Sequence, residues 1–195
     1  MGQRNILIEG VSGTGKTSVA TELQRRGYHV IHGDRELAYQ GDPETGEPLD
    51  ASTLAQGLAD VAFGHRHHLW NIDKVKALVS DQSHPISFFC GGSRNFHRFI
   101  ELFDGVFVLD VDQHTLKNRL ASRPEDEFGG KPAERELIMR LHATWEDIPE
   151  NATVIDATVP VDAVVELILL GCGGDHSPPK GEYDVLPDHQ WKKLP

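Results

Sequence analysis

The chain is short of several residue types, and each shortage removes a class of protein. Two cysteines, Cys90 and Cys172, among 195 residues leave no disulfide framework of the kind that staples small secreted domains, so a reducing compartment is expected. Basic residues are outnumbered: 19 Lys and Arg stand against 30 Asp and Glu, a formal net charge of −11. That sign opposes the broad attraction to phosphate backbones on which nucleic-acid binders depend. No nucleic-acid polymer is expected as a partner. No apolar stretch approaches the roughly 18 residues needed to cross a bilayer; the longest, near residues 161–170, is interrupted by Asp162 and Glu166. A strand expected within five residues of Met1 leaves no room for a signal peptide, and the expected location is the cytoplasm. Internal repeats are missing, and nothing in the sequence indicates an oligomeric state. What remains is a chain of ordinary single-domain size, able to bury a core.

The most specific feature present is residues 10–17, Gly-Val-Ser-Gly-Thr-Gly-Lys-Thr, which fit the phosphate-binding loop pattern G-x-x-x-x-G-K-[ST] at every position. The flanks suit it. Residues 5–9 read as a short buried strand, and residues 18–26 place Val19, Ala20 and Leu23 at helical spacing before Gly27 ends the helix. Gly10, Gly13 and Gly15 let the backbone curl so that its N–H groups turn inward on phosphate oxygens. The helix N-terminus adds partial positive charge, Lys16 is positioned to reach the β- and γ-phosphates of ATP, and the Thr17 hydroxyl to coordinate Mg²⁺. Ser12, Thr14 and Ser18 complete the expected phosphate contacts.

Apolar runs recur along the rest of the chain, separated by helical patterns: residues 28–32, 86–90, 106–109 and 153–156, the last leading through Pro160 into a helix over 161–170. Strands apolar on both faces that alternate with helices predict an α/β fold, a five-stranded parallel sheet flanked by helices in three layers. Ligands on such a sheet sit beyond the strand C-termini. Three segments depart from the pattern. Residues 40–48 (QGDPETGEP) form a turn-rich insertion, and residues 123–132 (RPEDEFGGKP) a short mobile lid. Residues 171–195, rich in proline and glycine, read as an extended or disordered tail that Tyr183, Leu186 and Trp191 could pin to the body. The folded unit is therefore expected over residues 1–170.

Four further motifs lie at the predicted strand ends: His32-Gly33-Asp34-Arg35, Cys90-Gly91-Gly92-Ser93-Arg94-Asn95, the stretch 106–123 ending in an Arg119…Arg123 pair, and Ile155-Asp156-Ala157-Thr158-Val159-Pro160. In this order they resemble the adenylate kinase-like branch of P-loop kinases, the nucleoside and nucleoside-monophosphate kinases, with shikimate and gluconate kinases as relatives. The similarity spans about residues 5–170. It implies a P-loop fold and an ATP- and Mg²⁺-dependent transfer of the γ-phosphate to a small soluble acceptor, most similar to a nucleoside or nucleoside monophosphate. It further implies an acceptor lobe over about residues 35–80, acceptor contacts from Asp34, Gly91, Gly92 and Arg94, and an adenine loop at Val159 and Pro160. Lys16, Asp34, Arg94 and Arg123 are the catalytic candidates, Arg119 an adenine-stacking one, and Thr17 and Asp34 the metal-side ones. Cys90 departs from the nucleotide kinases, which carry an aspartate there.

Each of these residues has a blander role open to it. Asp34 suits the N-cap of a helix starting near Arg35. Arg94 could form a surface ion pair with Glu101 or Asp104. Arg119 and Arg123, four apart, could be a solvated helix face, with Arg135 and Arg140 weaker candidates of the same kind. His65, His67 and His68 are expected on a helix of the acceptor lobe rather than around a metal, and Trp70 in its packing. Two other function classes remain: a shikimate- or gluconate-like metabolite kinase, and a nucleotide-hydrolysing regulatory module. Against the latter, the chain has no Asn-Lys-x-Asp guanine motif and no apolar strand ending in Asp-Glu.

Overall fold

A computed structural model describes residues 4–57 and 60–173. In chain order the elements are β1 (Arg4–Glu9), α1 (Lys16–Arg25), β2 (His29–His32), the single turn α2 (Gly33–Glu36), β3 (Ala38–Gln40), α3 (Ala51–Gly57), α4 (Val61–Arg66), β4 (His68–Trp70), α5 (Ile72–Val79), β5 (Ile86–Cys90), β6 (Gly105–Asp110), α6 (Gln113–Ala121), α7 (Pro132–Thr144), β7 (Thr153–Asp156) and α8 (Val161–Gly171). Side chains fix several helix starts. Asp60, Asn71 and Asp112 accept the N–H groups of Ala62, Lys74 and Thr115, and so cap α4, α5 and α6. Pro132 opens α7, with Glu134 reaching back to the Lys131 amide.

The main sheet is parallel throughout, in the order β2-β5-β1-β6-β7. From β1 the chain crosses to the edge strand β2, comes back to fill the gap with β5, and then adds β6 and β7 on the other side, so β1 lies at the switch point where α/β sheets open a crevice. Alternation along β1 divides the core in two. Ile6 and Ile8 pack with Val19 and Leu23 of α1, Leu116 and Leu120 of α6, and Val165 and Ile168 of α8. Leu7 turns to the opposite layer, where Ile31, Phe89, Trp70, Phe99 and Phe103 pack together. Glu9 follows two residues after Leu7 and so shares its side of the sheet.

One element was not foreseen. The helix expected through the His65–His68 region ends at Arg66, and β4 pairs antiparallel with β3, Tyr39 opposite Leu69. Leu69 and Trp70 are fully buried, and their burial against a partner some thirty residues earlier overrides local helical spacing. The tail expected over residues 171–195 lies, beyond Gly173, outside the described residues, and with it Tyr183, Leu186 and Trp191. Helix α8 runs to Gly171. Among the described residues no helix is long and apolar enough to cross a membrane.

Trp70 stacks on Phe99 with ring centroids 5.7 Å apart, and its indole lies directly over Gly33. A Cβ at Gly33 would stand 2.0 Å from Trp70 Cζ2, and the fully buried indole has nowhere to retreat. Gly33→Ala should therefore destabilise the fold by about 1–3 kcal/mol, a fall of several degrees in Tm on thermal denaturation. An unchanged Tm would show that Trp70 can move aside.

Candidate active site

The phosphate-binding loop takes the shape its glycines permit. Gly10, Gly13 and Gly15 adopt φ of +141°, +99° and +112°, in a region that side-chain-bearing residues rarely enter. The loop delivers the chain to the start of α1, whose first residues are Lys16, Thr17 and Ser18. Lys16 Nζ folds back onto the loop, donating to the carbonyls of Gly10 and Val11, and burial pushes its pKa down. A cavity of about 770 Å³ opens over this loop, lined by residues 12–19, Asp34, Arg119, Arg123, Val159 and Val161. Pro160, expected beside the adenine, instead stands at the N-cap of α8 and is not among the lining residues.

The two lid-edge arginines are bonded to the loop itself. Arg119 donates through Nη1 to Thr14 O at 3.0 Å and through Nη2 to Ala157 O at 2.8 Å, bridging the phosphate loop and the β7 exit. Arg123 Nη1 donates to Ser12 Oγ at 2.8 Å and to Phe128 O. Neither belongs to a free solvated face. Arg135 donates to the carbonyls of Gly129 and Gly130 and shapes the lid, while Arg140 pairs with Glu146 at the surface. Of the lid acids, Glu125 and Asp126 are exposed and line neither cavity, whereas Glu127 lines the phosphate-side cavity and lies 3.9 Å from Arg123 Nε.

A second cavity, about 630 Å³, lies on the other side of Lys16. It is walled by Leu54, Val61, Phe63, Ile138, Leu141 and Ile148, and carries Glu9, Asp34, His65, His68, Arg94 and Asp147. Ser12, Lys16, Asp34 and Phe128 line both cavities. Gly91 and Gly92 let the acids approach this close: a Cβ on Gly91 would stand 2.7 Å from Asp34 Oδ1, and one on Gly92 3.0 Å from Glu9 Oε2.

Asp34 is not a helix cap. Its Oδ1 accepts the Gly92 amide at 3.1 Å and lies 3.4 Å from His68 Nε2. Burial alone would raise its pKa, but the His68 hydrogen bond, Lys16 and the Gly92 amide outweigh it and hold the carboxyl below its ordinary range. Arg94 does not reach Glu101 or Asp104; its Nη1 lies 2.5 Å from Asp147 Oδ2. Asp147 also meets His65 Nε2 at 2.6 Å, and these two partners overcome its burial and hold its pKa at about 2.

The sequence reading missed Glu9 and Asp147. Glu9 is 1% exposed at the end of the central strand, its carboxylate accepting the amides of Gly10 at 3.1 Å and Ser93 at 3.3 Å. Burial raises its pKa to about 7, against the pull of Arg94 and Lys16. A lone acid ending an otherwise apolar strand, just before the phosphate loop, was the available signal. Asp147 sits after α7 in a stretch with no motif. Cys90 packs in the core beside Ile8 and Phe88, lines neither cavity, and has its thiol pushed far up by burial. The histidines do not converge: His67 bonds Phe63 O, and among the described residues no cluster is arranged to hold a metal ion.

A family profile described as an AAA domain matches residues 6–140, and the chain belongs to that family. Its fold is shared with solved P-loop structures. The protein TT1252 from Thermus thermophilus is 18% identical with a TM-score of 0.57, covering 89% of this chain and 100% of that one. A shikimate kinase from Bacteroides thetaiotaomicron is 14% identical with a TM-score of 0.55, covering 87% and 98%. A gluconokinase from Sinorhizobium meliloti 1021 is 21% identical with a TM-score of 0.50, covering 86% and 90%. No curated protein matches the chain by sequence. The fold is thus that of P-loop small-molecule kinases.

The Glu9 carboxyl ties stability to pH in a set direction. Its folded pKa of about 7 lies above the ordinary 4.5, so the native state holds this proton more tightly than the unfolded chain. Its contribution is full below about pH 4.5, is lost as pH rises to about 7, and is level above. Thermal denaturation of the ligand-free protein should show wild type losing on the order of 3 kcal/mol relative to Glu9→Gln across that window. Parallel pH profiles for the two proteins would contradict the assignment.

Proposed function

We propose that the protein is an ATP- and Mg²⁺-dependent phosphotransferase that moves the γ-phosphate of ATP to a hydroxyl on a small soluble acceptor. The observation that carries this is the shared wall: one cavity over the phosphate loop, a second beside it, and Lys16 and Asp34 facing both. A hydrolase needs one pocket and a water. Two pockets meeting at a lysine and a carboxylate suit two bound substrates.

In this reading the loop amides and the α1 N-terminus receive the phosphates, and Lys16 turns from the Gly10 and Val11 carbonyls to the β- and γ-oxygens. Thr17 and Asp34, both lining the phosphate-side cavity, offer a hydroxyl and a carboxylate, the oxygen donors Mg²⁺ prefers; the ion, when bound, neutralises phosphate charge. Arg123 and Arg119 add positive charge at the lid edge. Asp34 holds the acceptor hydroxyl and takes its proton as the oxygen bonds to the γ-phosphorus. The bond from that phosphorus to the bridging oxygen breaks, and ADP leaves. Residues 35–80 would form the acceptor lobe and 123–132 the lid, with the kinase unit ending near residue 170. By its motifs the acceptor is of nucleoside or nucleoside-monophosphate type. The shikimate kinase and gluconokinase neighbours support a metabolite kinase as the second choice. The hydrolysing switch is disfavoured by Asp110: its carboxylate, at the end of β6, is paired with His142 at 3.1 Å and lines neither cavity.

Steady-state ADP release tests this. Asp34→Asn should cut acceptor-dependent turnover by about 10²-fold or more with little change in the KM for ATP, and Lys16→Ala should nearly abolish it while the protein stays folded. Acceptor-independent release insensitive to Asp34→Asn would favour the hydrolase.

A further inference from the structure

The acceptor cavity is electrostatically wrong for an anionic substrate. Five carboxylates line it, Glu9, Asp34, Asp60, Glu134 and Asp147, against two permanent cations, Lys16 and Arg94. Lys16 belongs to the phosphate loop. Among the described residues Arg94 is the only permanent cation left for the acceptor, and it is already answered: Asp147 sits 2.5 Å from its Nη1, and Glu9 is close enough that Arg94 is the strongest charge opposing the upward shift of its carboxyl. The arginine side chain is only 13% exposed, with its Nη1 held against Asp147, and its Nε is buried without a hydrogen-bond partner. It cannot turn its fork toward a ligand without giving up the Asp147 pair and leaving that half-buried carboxylate to His65 alone. His65 and His68 are each hydrogen-bonded to one of the lining carboxylates, Asp147 and Asp34. The rest of the wall is largely apolar, with Phe63, Leu141 and Ile148, and Gln40 adds a buried amide oxygen with no hydrogen-bond partner.

We infer that the acceptor is a hydroxyl compound carrying no anionic group, with an apolar body held against the Phe63–Ile148 wall and its polar end, neutral or amine-bearing, set among the carboxylates. The inference rests on the kinase reading for the hydroxyl, but the exclusion of anions stands on charge alone. It narrows the acceptor from nucleoside or nucleoside monophosphate to the former kind, and sets shikimate- and gluconate-like acids aside. Arg94 becomes a positioning residue, holding Glu9 and the Asp147 loop in place, rather than a phosphate clamp.

The test needs no turnover. Wild-type protein is saturated with Mg²⁺ and a non-hydrolysable ATP analogue, so that the phosphate loop is filled. Inorganic phosphate, AMP, shikimate and gluconate are then titrated at constant ionic strength, with Tm as readout. None should stabilise the wild type. Asp147→Asn, which frees the Arg94 fork, should gain phosphate-dependent stabilisation, with affinity about ten- to a hundred-fold above wild type, and Asp147→Asn/Arg94→Ala should lose it again. Stabilisation of wild type by any of these anions that disappears in Arg94→Ala overturns the proposal, whether or not the Asp147 variant folds. A folded Asp147→Asn that gains nothing overturns it too. In a parallel arm, adenosine, thymidine and glucosamine are compared with AMP, shikimate and gluconate as acceptors in ADP release. Turnover with an anionic acceptor above its neutral counterpart also contradicts the inference, whereas absence of any acceptor-dependent turnover counts against the kinase reading and leaves the anion titration to decide the charge of the pocket.

Discussion

The structure depends on placing four ionisable groups, Glu9, Lys16, Asp34 and Arg94, together at the carboxyl end of the sheet. Burial and the charges of the other three set the electrostatics of Glu9 and Lys16, while burial, His68, Lys16 and the Gly92 amide set those of Asp34. Charges taken from water are costly unless paired, and removing one partner strands the rest. The cluster draws on borrowed partners: the amides of Gly10, Gly92 and Ser93, the imidazole of His68 and the carboxylate of Asp147. The two glycines after β5, the sharp turn into the phosphate loop and the packing of Trp70 against Gly33 all serve to bring those partners within reach.

This arrangement leaves Lys16 poised rather than engaged. With its ammonium on the loop carbonyls and its pKa pushed down by burial, it costs little to redirect toward phosphate oxygens. Asp34, in contrast, is held ionised and half exposed at the boundary of the two cavities. Glu9 sits behind both with a pKa of about 7, so the charge state of the cluster changes within the physiological range. Carboxyls whose surroundings push their pKa values apart are the usual basis for dividing roles in an acid–base site.

Much of this was legible in the sequence, and the parts that were not share one cause. The phosphate loop, the five parallel strands, the placement of Asp34, Gly91, Gly92 and Arg94 just past strand ends, and that of Arg119 and Arg123 at the end of α6 follow from short-range patterns: apolar runs, glycine turns, helical spacing. The β3–β4 pair, the Arg94–Asp147–His65 chain and the burial of Glu9 depend on residues some thirty to more than eighty positions apart, which local spacing cannot encode. Cys90 illustrates the same limit. Its position in the motif suggested a lost metal-side aspartate, yet period-two alternation along β5 turns it, with Phe88, into the opposite core layer. Arg94 lines the second cavity, and its partner was not legible, since nothing near it in sequence announces Asp147.

The central claim is that the two cavities meet at Lys16 and Asp34 in order to pass a phosphoryl group between two substrates. The most direct measurement is to supply ATP labelled at the γ-phosphate together with neutral hydroxyl acceptors and follow where the label goes. The account predicts label covalently attached to an organic acceptor, with ADP formed in equal amount. Label appearing only as inorganic phosphate, at a rate indifferent to every acceptor, would contradict it.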